Sequence, residues 1–230
     1  MLVVASSDVD TVYVLDSITG EVVRTFGSTG KATMQFNTPC GVCVTRDGNI
    51  IVADWGNNRL QEVLDRGRSG SARVLGKRLP APCFVALTVA EDALVVLQHR
   101  PHEAPGVDSQ KQLAWSVVVL ARDATCTLRV LLTNMDIIPL DPPPSFRICG
   151  FSTRGGVVAV LEGSRVVLSD VSGKWKRAIC LKDGCAPAAS FVAPDSSFPP
   201  LGVGFDTRAP DDQARLWIAF QPYFAVLAWR

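Results

Sequence analysis

Apolar residues recur along the chain with a period of two, in short runs rich in valine and isoleucine. Examples are residues 12–15, 50–53, 157–161 and 216–220. Turn-forming residues bound these runs, as in the segments 17–20 and 46–49. Runs of this kind at a spacing of about 8–12 residues predict short antiparallel strands joined by hairpins. Because no segment combines helical periodicity with a cap and a stop signal, the pattern predicts an all-β protein.

The predicted strands belong to a repeat. The segment 39–44, Pro-Cys-Gly-Val-Cys-Val, is matched at 82–87 and 200–205 and more weakly at 147–152. A turn and an apolar strand follow each copy. A unit of about four strands in roughly 40–65 residues has the size of a propeller blade. The sequence therefore predicts a single β-propeller domain over residues 1–230, with five visible blades at approximately 1–30, 36–78, 80–134, 146–185 and 200–230.

The two terminal blades are predicted to be incomplete. The first begins with the pattern of a second strand and lacks an inner strand, and the last lacks an outer strand. The simplest interpretation is an incomplete six-bladed ring, as in a fragment of a larger protein. A five-bladed ring with an incomplete first blade is the alternative. Since unpaired strand edges attract further strands, self-association through the incomplete blades is expected.

The segment 36–63 carries the most specific motif. It contains an aromatic residue, Pro-x-Gly-Val, Asp-Gly-Asn, Ala-Asp, Asn-x-Arg and a glutamine in order, at Phe36, Pro39, Gly41, Val42, Asp47, Gly48, Asn49, Ala53, Asp54, Asn57, Arg59 and Gln61. This pattern resembles the NHL repeat. The resemblance implies NHL-like blades and, as the function, a non-enzymatic scaffold for protein–protein interactions. Some NHL propellers bind single-stranded RNA and others are metal-dependent lyases, which gives two alternatives.

Composition excludes several classes of protein. The 230 residues include 23 basic and 22 acidic residues, for a formal net charge of +1, and 47% are hydrophobic. This balance argues against wholesale disorder and against a surface uniformly basic for nucleic acid. No apolar run reaches the ~18 residues of a membrane span, so no membrane partner is expected. The seven cysteines are an odd number in a long chain, which favours a reducing, cytoplasmic location over a disulfide framework.

A polar cluster at residues 54–59 is the main candidate site. The structural interpretation is that Asp54 and its neighbours satisfy loop N–H groups while Arg59 pairs with a carboxylate. Trp55 lies at the tip of the same turn and is predicted to be exposed, as an aromatic anchor for a protein partner. The basic region 59–78 is the candidate RNA-binding surface. The predicted binding residues are Trp55, Asn57, Arg59, Arg66 and Arg68.

Metal and catalytic chemistry are weakly supported. Cys40 and Cys43 form a Cys-x-x-Cys pair, but a structural zinc site needs a second pair and none has matching spacing. Cys40 and Cys83 occupy the same repeat position, so Cys40 is predicted to pack between blades, with Cys43 pointing the other way. The two histidines, His99 and His102, lie in one segment. We therefore expect no catalytic residue, no metal and no cofactor, and a metal-dependent hydrolase or lyase is the least favoured function.

Overall fold

The computed structural model describes residues 1–64, 67–88, 90–100, 114–133, 148–154, 156–162, 165–174, 176–180, 200–205, 215–220 and 224–228. Backbone contacts divide the chain into two compact units, residues 1–134 and 135–230. Each unit is built from antiparallel sheets whose strands follow one another in chain order. No helix among the described residues is long and apolar enough to cross a bilayer. A single domain over the whole chain stays a prediction.

The described residues of the first unit form three sheets. The first blade is β1 (Leu2–Ser6), β2 (Thr11–Leu15) and β3 (Val22–Phe26). The second blade is β4 (Pro39–Val44), β5 (Ile50–Asp54), β6 (Arg59–Val63) and β7 (Ala72–Lys77), with a 3-10 turn, Trp55–Asn57, between β5 and β6. The third blade is β8 (Pro82–Leu87), β9 (Ala93–Arg100), β10 (Ala114–Ala121) and β11 (Thr127–Thr133).

The described residues of the second unit form two sheets. The fourth blade is β12 (Ile148–Arg154), β13 (Val157–Glu162), β14 (Arg165–Asp170) and β15 (Lys176–Cys180). The fifth blade is β16 (Pro200–Phe205), β17 (Arg215–Phe220) and β18 (Phe224–Ala228). The five sheets that the structure describes lie within the ranges predicted for the five blades, and the described residues give the first and last sheets three strands each. The predicted all-β architecture with four-stranded units is confirmed.

Strand β5 shows how the alternation of side chains builds the core of the first unit. Ile50 and Val52 point to one side, where they pack with Val12, Val14 and Phe26 of the first blade. Ile51 and Ala53 point to the other side and pack against the third blade. Because successive side chains of a strand face opposite sides of the sheet, one apolar run supplies two inter-blade cores.

Strands β4 and β8 approach each other closely at Gly41. A Cβ atom at this position would lie 2.6 Å from the carbonyl oxygen of Cys83 and 2.6 Å from the Cα of Phe84. Both neighbours are backbone atoms, which cannot rotate away. The glycine of the Pro-x-Gly-Val segment is therefore required by the distance between adjacent inner strands.

A repeated polar contact joins successive blades. Asp10 and Asn58 both adopt left-handed backbone conformations, with φ of 51° and 53°, just before β2 and β6. The Oδ1 of Asp10 accepts a hydrogen bond of 2.7 Å from the N–H of Thr38, and that of Asn58 accepts one of 2.9 Å from the N–H of Ala81. Each donor residue immediately precedes the proline of the next blade. The match identifies β1 as the equivalent of β5, a second strand, as the sequence predicted.

Candidate interaction site around Trp55

Asp54 is the centre of a buried polar cluster at the end of β5. Its side chain is fully buried. Its Oδ1 accepts a hydrogen bond of 2.8 Å from the backbone N–H of Asn37, and its Oδ2 forms an ion pair of 2.7 Å with the Nε of Arg59. The side-chain amides of Asn57 and Gln61 also donate to this carboxylate. The carboxylate is compensated by four donors, as a buried charge requires.

Arg59 and Gln61 extend this cluster to the loop 28–37, which connects the first and second blades. The guanidinium of Arg59 donates to the carbonyl oxygens of Lys31, Ala32 and Gln35 at 2.7–2.9 Å. The amide of Gln61 also donates to the Gln35 carbonyl, at 2.7 Å. Side chains of the repeat thereby satisfy several backbone acceptors of the irregular loop.

These contacts explain why the repeat carries Asp, Asn-x-Arg and Gln at these spacings. Asn57 donates to the Gly30 carbonyl at 2.8 Å as well as to Asp54. The side chain of Arg59 is only 11% exposed, and its guanidinium contacts Asp54 and three carbonyl oxygens of the loop. The structural interpretation of Asp54 and Arg59 is thus the one that the geometry supports. A binding role for Asn57 or Arg59 stays a prediction.

Trp55 presents an exposed indole on a firmly held turn. The residue is 41% exposed, whereas its neighbour Asp54 is fully buried. The turn that carries it ends at Asn58 in the left-handed conformation, and Gly56 donates to the Asn37 carbonyl at 2.8 Å. A Cβ atom on Gly56 would lie 2.5 Å from the side chain of Asn37. The predicted exposure of Trp55 is confirmed, and its backbone is fixed by contacts on both sides.

The predicted binding residues do not gather at one place. Trp55 and Asn57 lie in the turn before β6 and Arg59 is the first residue of β6, whereas Arg68 lies in the turn after β6 ends at Val63. Arg66 lies outside the described residues. Of the other residues in the basic region, Lys77 lies opposite Arg59 in the register of β6 and β7, and Arg73 forms an ion pair with Glu62. The exposed side chain of Arg68 is therefore separated from the exposed indole of Trp55 by the length of strand β6.

Glu62 forms a second buried ionic cluster, which the sequence did not indicate. Its side chain is 1% exposed and accepts from Arg73 in its own blade and from Arg122 in the third blade, at 2.7 and 2.9 Å. Asn49 donates to it as well. Burial acts to raise the pKa of Glu62, but these hydrogen bonds outweigh it, so the pKa lies below the ordinary value. Arg122 is 60 residues away in sequence, which is why no local motif reveals the pair.

The cysteines correct one expectation. Cys40 and Cys83 do occupy equivalent positions, since each Sγ lies 3.4 Å from the carbonyl oxygen two residues earlier. Cys40, however, is exposed, whereas Cys83 is buried. The prediction that Cys40 packs between blades is wrong, because β4 presents this side chain to the surface. Cys43 packs against the core between the second and third blades, and burial raises its pKa to about 12.

Of the two histidines, the structure describes His99. His99 lies in β9, where burial lowers its pKa. His102 lies outside the described residues. Within the described parts of the chain, no three His, Cys, Asp or Glu side chains are placed to hold a metal ion.

Comparison with known families bears on the second blade. The family model described as NHL repeat matches residues 36–62, which run from the end of the loop 28–37 to β6. These residues therefore match the pattern of an NHL repeat. The Asp54 cluster is therefore built from residues of the repeat, and Trp55 lies inside the matched segment. No curated protein is similar to the chain in sequence.

Solved structures extend the comparison beyond the NHL repeat. A structure of streptogramin B lyase aligns with a TM-score of 0.53 and 11% identity over 99% of this chain and 68% of the other. Virginiamycin B lyase from Staphylococcus aureus aligns with a TM-score of 0.52 and 11% identity over 99% and 69%. PorZ of Porphyromonas gingivalis aligns with a TM-score of 0.53 and 12% identity over 98% and 23%. At these identities the likeness shows the fold, a β-propeller.

Proposed function

We propose that this chain is a non-enzymatic NHL-type propeller that binds a protein partner, with Trp55 as the central contact. The observation that carries the proposal is the 41% exposure of an indole whose turn is held by a buried cluster. Large aromatic side chains are enriched among the residues that dominate binding energy at interfaces. A rigid presentation lowers the entropy lost when a partner binds.

The polar residues of the NHL repeat support a scaffold over an enzyme. Asp54, Arg59 and Gln61 form hydrogen bonds with backbone groups of the loop 28–37. Glu62 is similarly engaged by two arginines. Groups engaged in this way are unavailable for acid–base work. The two lyases among the solved structures share the fold at 11% identity, and a shared fold does not transfer a reaction.

A photo-crosslinking amino acid in place of Trp55 tests the proposal. We expect it to capture one defined partner, and the same substitution at Ile18, 93% exposed in the turn between β2 and β3, to capture none. With the purified pair, Trp55→Ala should weaken binding by about 30-fold or more, the loss of about 2 kcal/mol typical of a central contact. Ile18→Ala should leave the affinity unchanged.

Two results would contradict this function. One is a partner whose affinity is the same for the wild type and Trp55→Ala. The other is tight, strongly salt-dependent binding of a single-stranded RNA that is lost in Arg68→Ala, which would favour the RNA alternative instead. Arg68 is a suitable probe because it is exposed and lies at the other end of β6 from Trp55.

A further inference from the structure

The turn that carries Trp55 is bonded to segment 77–81, which links β7 to β8. The N–H groups of Leu79 and Ala81 donate to the carbonyl oxygen and to the Oδ1 of Asn58, each at 2.9 Å. Asn58 closes the turn, since its own N–H donates to the Trp55 carbonyl at 3.2 Å. The segment is therefore held against the turn by both the backbone and the side chain of one residue.

The loop 28–37 is bonded to the same turn. Its Asn37 carbonyl accepts from the N–H of Gly56 at 2.8 Å, and its Lys31 carbonyl accepts from Arg59 at 2.7 Å. The turn and the two segments bonded to it thus form one continuous surface around the exposed indole. We call it the anchor surface, and it consists of residues 28–37, 54–59 and 77–81.

The exposed charges of the anchor surface are all positive. Its sequence contains four basic residues and one acidic residue, Asp54. Asp54 is fully buried and paired with Arg59. The other three cations, Lys31, Lys77 and Arg78, are exposed. Within the described parts of the chain, no carboxylate forms an ion pair with any of these three. The anchor surface therefore combines an exposed indole with unneutralised positive charge.

This combination is complementary to a chain segment that carries carboxylates beside an apolar side chain. At physiological ionic strength a charge acts over about 8 Å, so cations at the rim attract a segment bound at the indole. Sites for single-stranded nucleic acid, by contrast, stack successive bases on several aromatic side chains. Besides Trp55, the anchor surface contains Phe36, which is fully buried. One exposed aromatic residue suits a peptide better than a run of bases.

We infer that the partner bound at Trp55 presents an acidic segment, in which an apolar side chain packs on the indole and flanking carboxylates face Lys31, Lys77 and Arg78. This inference rests on the proposed function and adds to it the chemistry of the partner. The indole supplies the central contact, and the three cations select acidic sequences and disfavour basic ones.

The test uses the full chain labelled with 5-fluorotryptophan and a capped acidic peptide, Glu-Asp-Leu-Phe-Asp-Glu. The fluorine resonance of Trp55 is identified by its loss in Trp55→Phe. We expect this resonance to shift saturably with a Kd of about 1 mM or tighter, since a short peptide forms a small interface. Raising the salt so that the Debye length falls from about 10 to about 3 Å should weaken binding by about fivefold or more. The matched neutral peptide, Gln-Asn-Leu-Phe-Asn-Gln, should bind about fivefold more weakly.

Matched protein variants locate the charges. Arg78→Glu should weaken binding of the acidic peptide by about fivefold or more, because it replaces an attraction by a repulsion. Lys31→Glu should weaken it in the same way from the loop 28–37. Arg68→Glu is the control, since Arg68 is an exposed arginine at the other end of β6, and it should leave the affinity unchanged. Circular dichroism of the three variants should match the wild type, because each replaced side chain is exposed.

Three results would overturn the inference. The first is equal binding of the acidic and neutral peptides. The second is binding of a pentauridine RNA that is tighter than that of the acidic peptide and is lost in Arg78→Glu, which would assign the surface to nucleic acid. The third is a partner captured at Trp55 whose affinity is unchanged in Arg78→Glu and at high salt. This third result would leave the proposed function standing, whereas the absence of both a captured partner and a peptide-induced shift would overturn the two together.

Discussion

The substitution Asp54→Ala probes the cluster on which the second blade depends. It removes the acceptor for the N–H of Asn37 and the partner of the Arg59 guanidinium, at 2.8 and 2.7 Å. Arg59 remains hydrogen-bonded to three carbonyl oxygens of the loop 28–37. Its charge, however, would be left without a carboxylate in a largely buried position.

The magnitude follows from these contacts. Removing one partner of a buried ion pair costs about 3–5 kcal/mol of unfolding free energy. Because the three carbonyl contacts keep part of the compensation of Arg59, we expect a loss of about 3 kcal/mol for Asp54→Ala. Asp54→Asn keeps one acceptor oxygen but loses the charge, so a loss of about 1–3 kcal/mol is expected.

Urea denaturation followed by circular dichroism measures these losses. Asp47→Ala is the control, because Asp47 is exposed in the turn between β4 and β5 and should change stability by less than about 0.5 kcal/mol. In a double-mutant cycle with Arg59→Met, the two losses should be coupled by about 1–3 kcal/mol. A loss below about 1 kcal/mol for Asp54→Ala, or additive losses in the cycle, would refute the assignment of a structural role.

Three further predictions concern other parts of the first unit. Gly41→Ala should lower the unfolding free energy by about 1–3 kcal/mol, because its Cβ would meet the backbone of β8; an unchanged melting temperature in calorimetry would contradict the close approach. In peptide-resolved alkylation of the native protein at pH 8, the exposed Cys40 should react well before Cys43 and Cys83, whose pKa values burial raises to about 12. Equal alkylation rates at the three cysteines would contradict the burial of Cys43 and Cys83. Since the folded pKa of Glu62 lies below 4.5, its stabilisation should be complete above that pH and disappear as the pH falls through the folded value. When the free energy of unfolding is measured at decreasing pH, the difference between the wild type and Glu62→Gln should therefore shrink. A difference that stays constant or grows would be inconsistent with the ion cluster.

The sequence predicted the strands and blades because both signals are local. Alternation of apolar residues in the segment 50–53 and the turns around it specify β5 without reference to the rest of the chain. The Pro-x-Gly-Val segment revealed the repeat. The close approach of Gly41 to β8 explains why this segment contains a glycine. The pairing of Asp54 with Arg59 was also predictable, since the two residues lie opposite each other on adjacent strands.

The contacts between blades could not be predicted because their partners are distant in sequence. Glu62 looks like an ordinary surface residue of a strand, and only the folded structure places Arg122 of the third blade against it. The exposure of Cys40 was mispredicted for a related reason. Equivalence with Cys83 fixes the backbone position, but the burial of each side chain depends on what surrounds that position in its own blade.

Trp55 and Asp54 are adjacent in sequence but carry different information about function. Asp54 is explained by the folding of the repeat, since its contacts hold the loop 28–37, the turn Trp55–Asn57 and the strand β6. Trp55 contributes an exposed apolar surface to the same turn, and none of the contacts that hold the loop 28–37 uses its indole. An exposed indole costs hydration free energy that burial against a partner would recover. Residues that the fold does not explain, at positions that the fold holds rigid, are therefore the ones at which binding should be sought in this propeller.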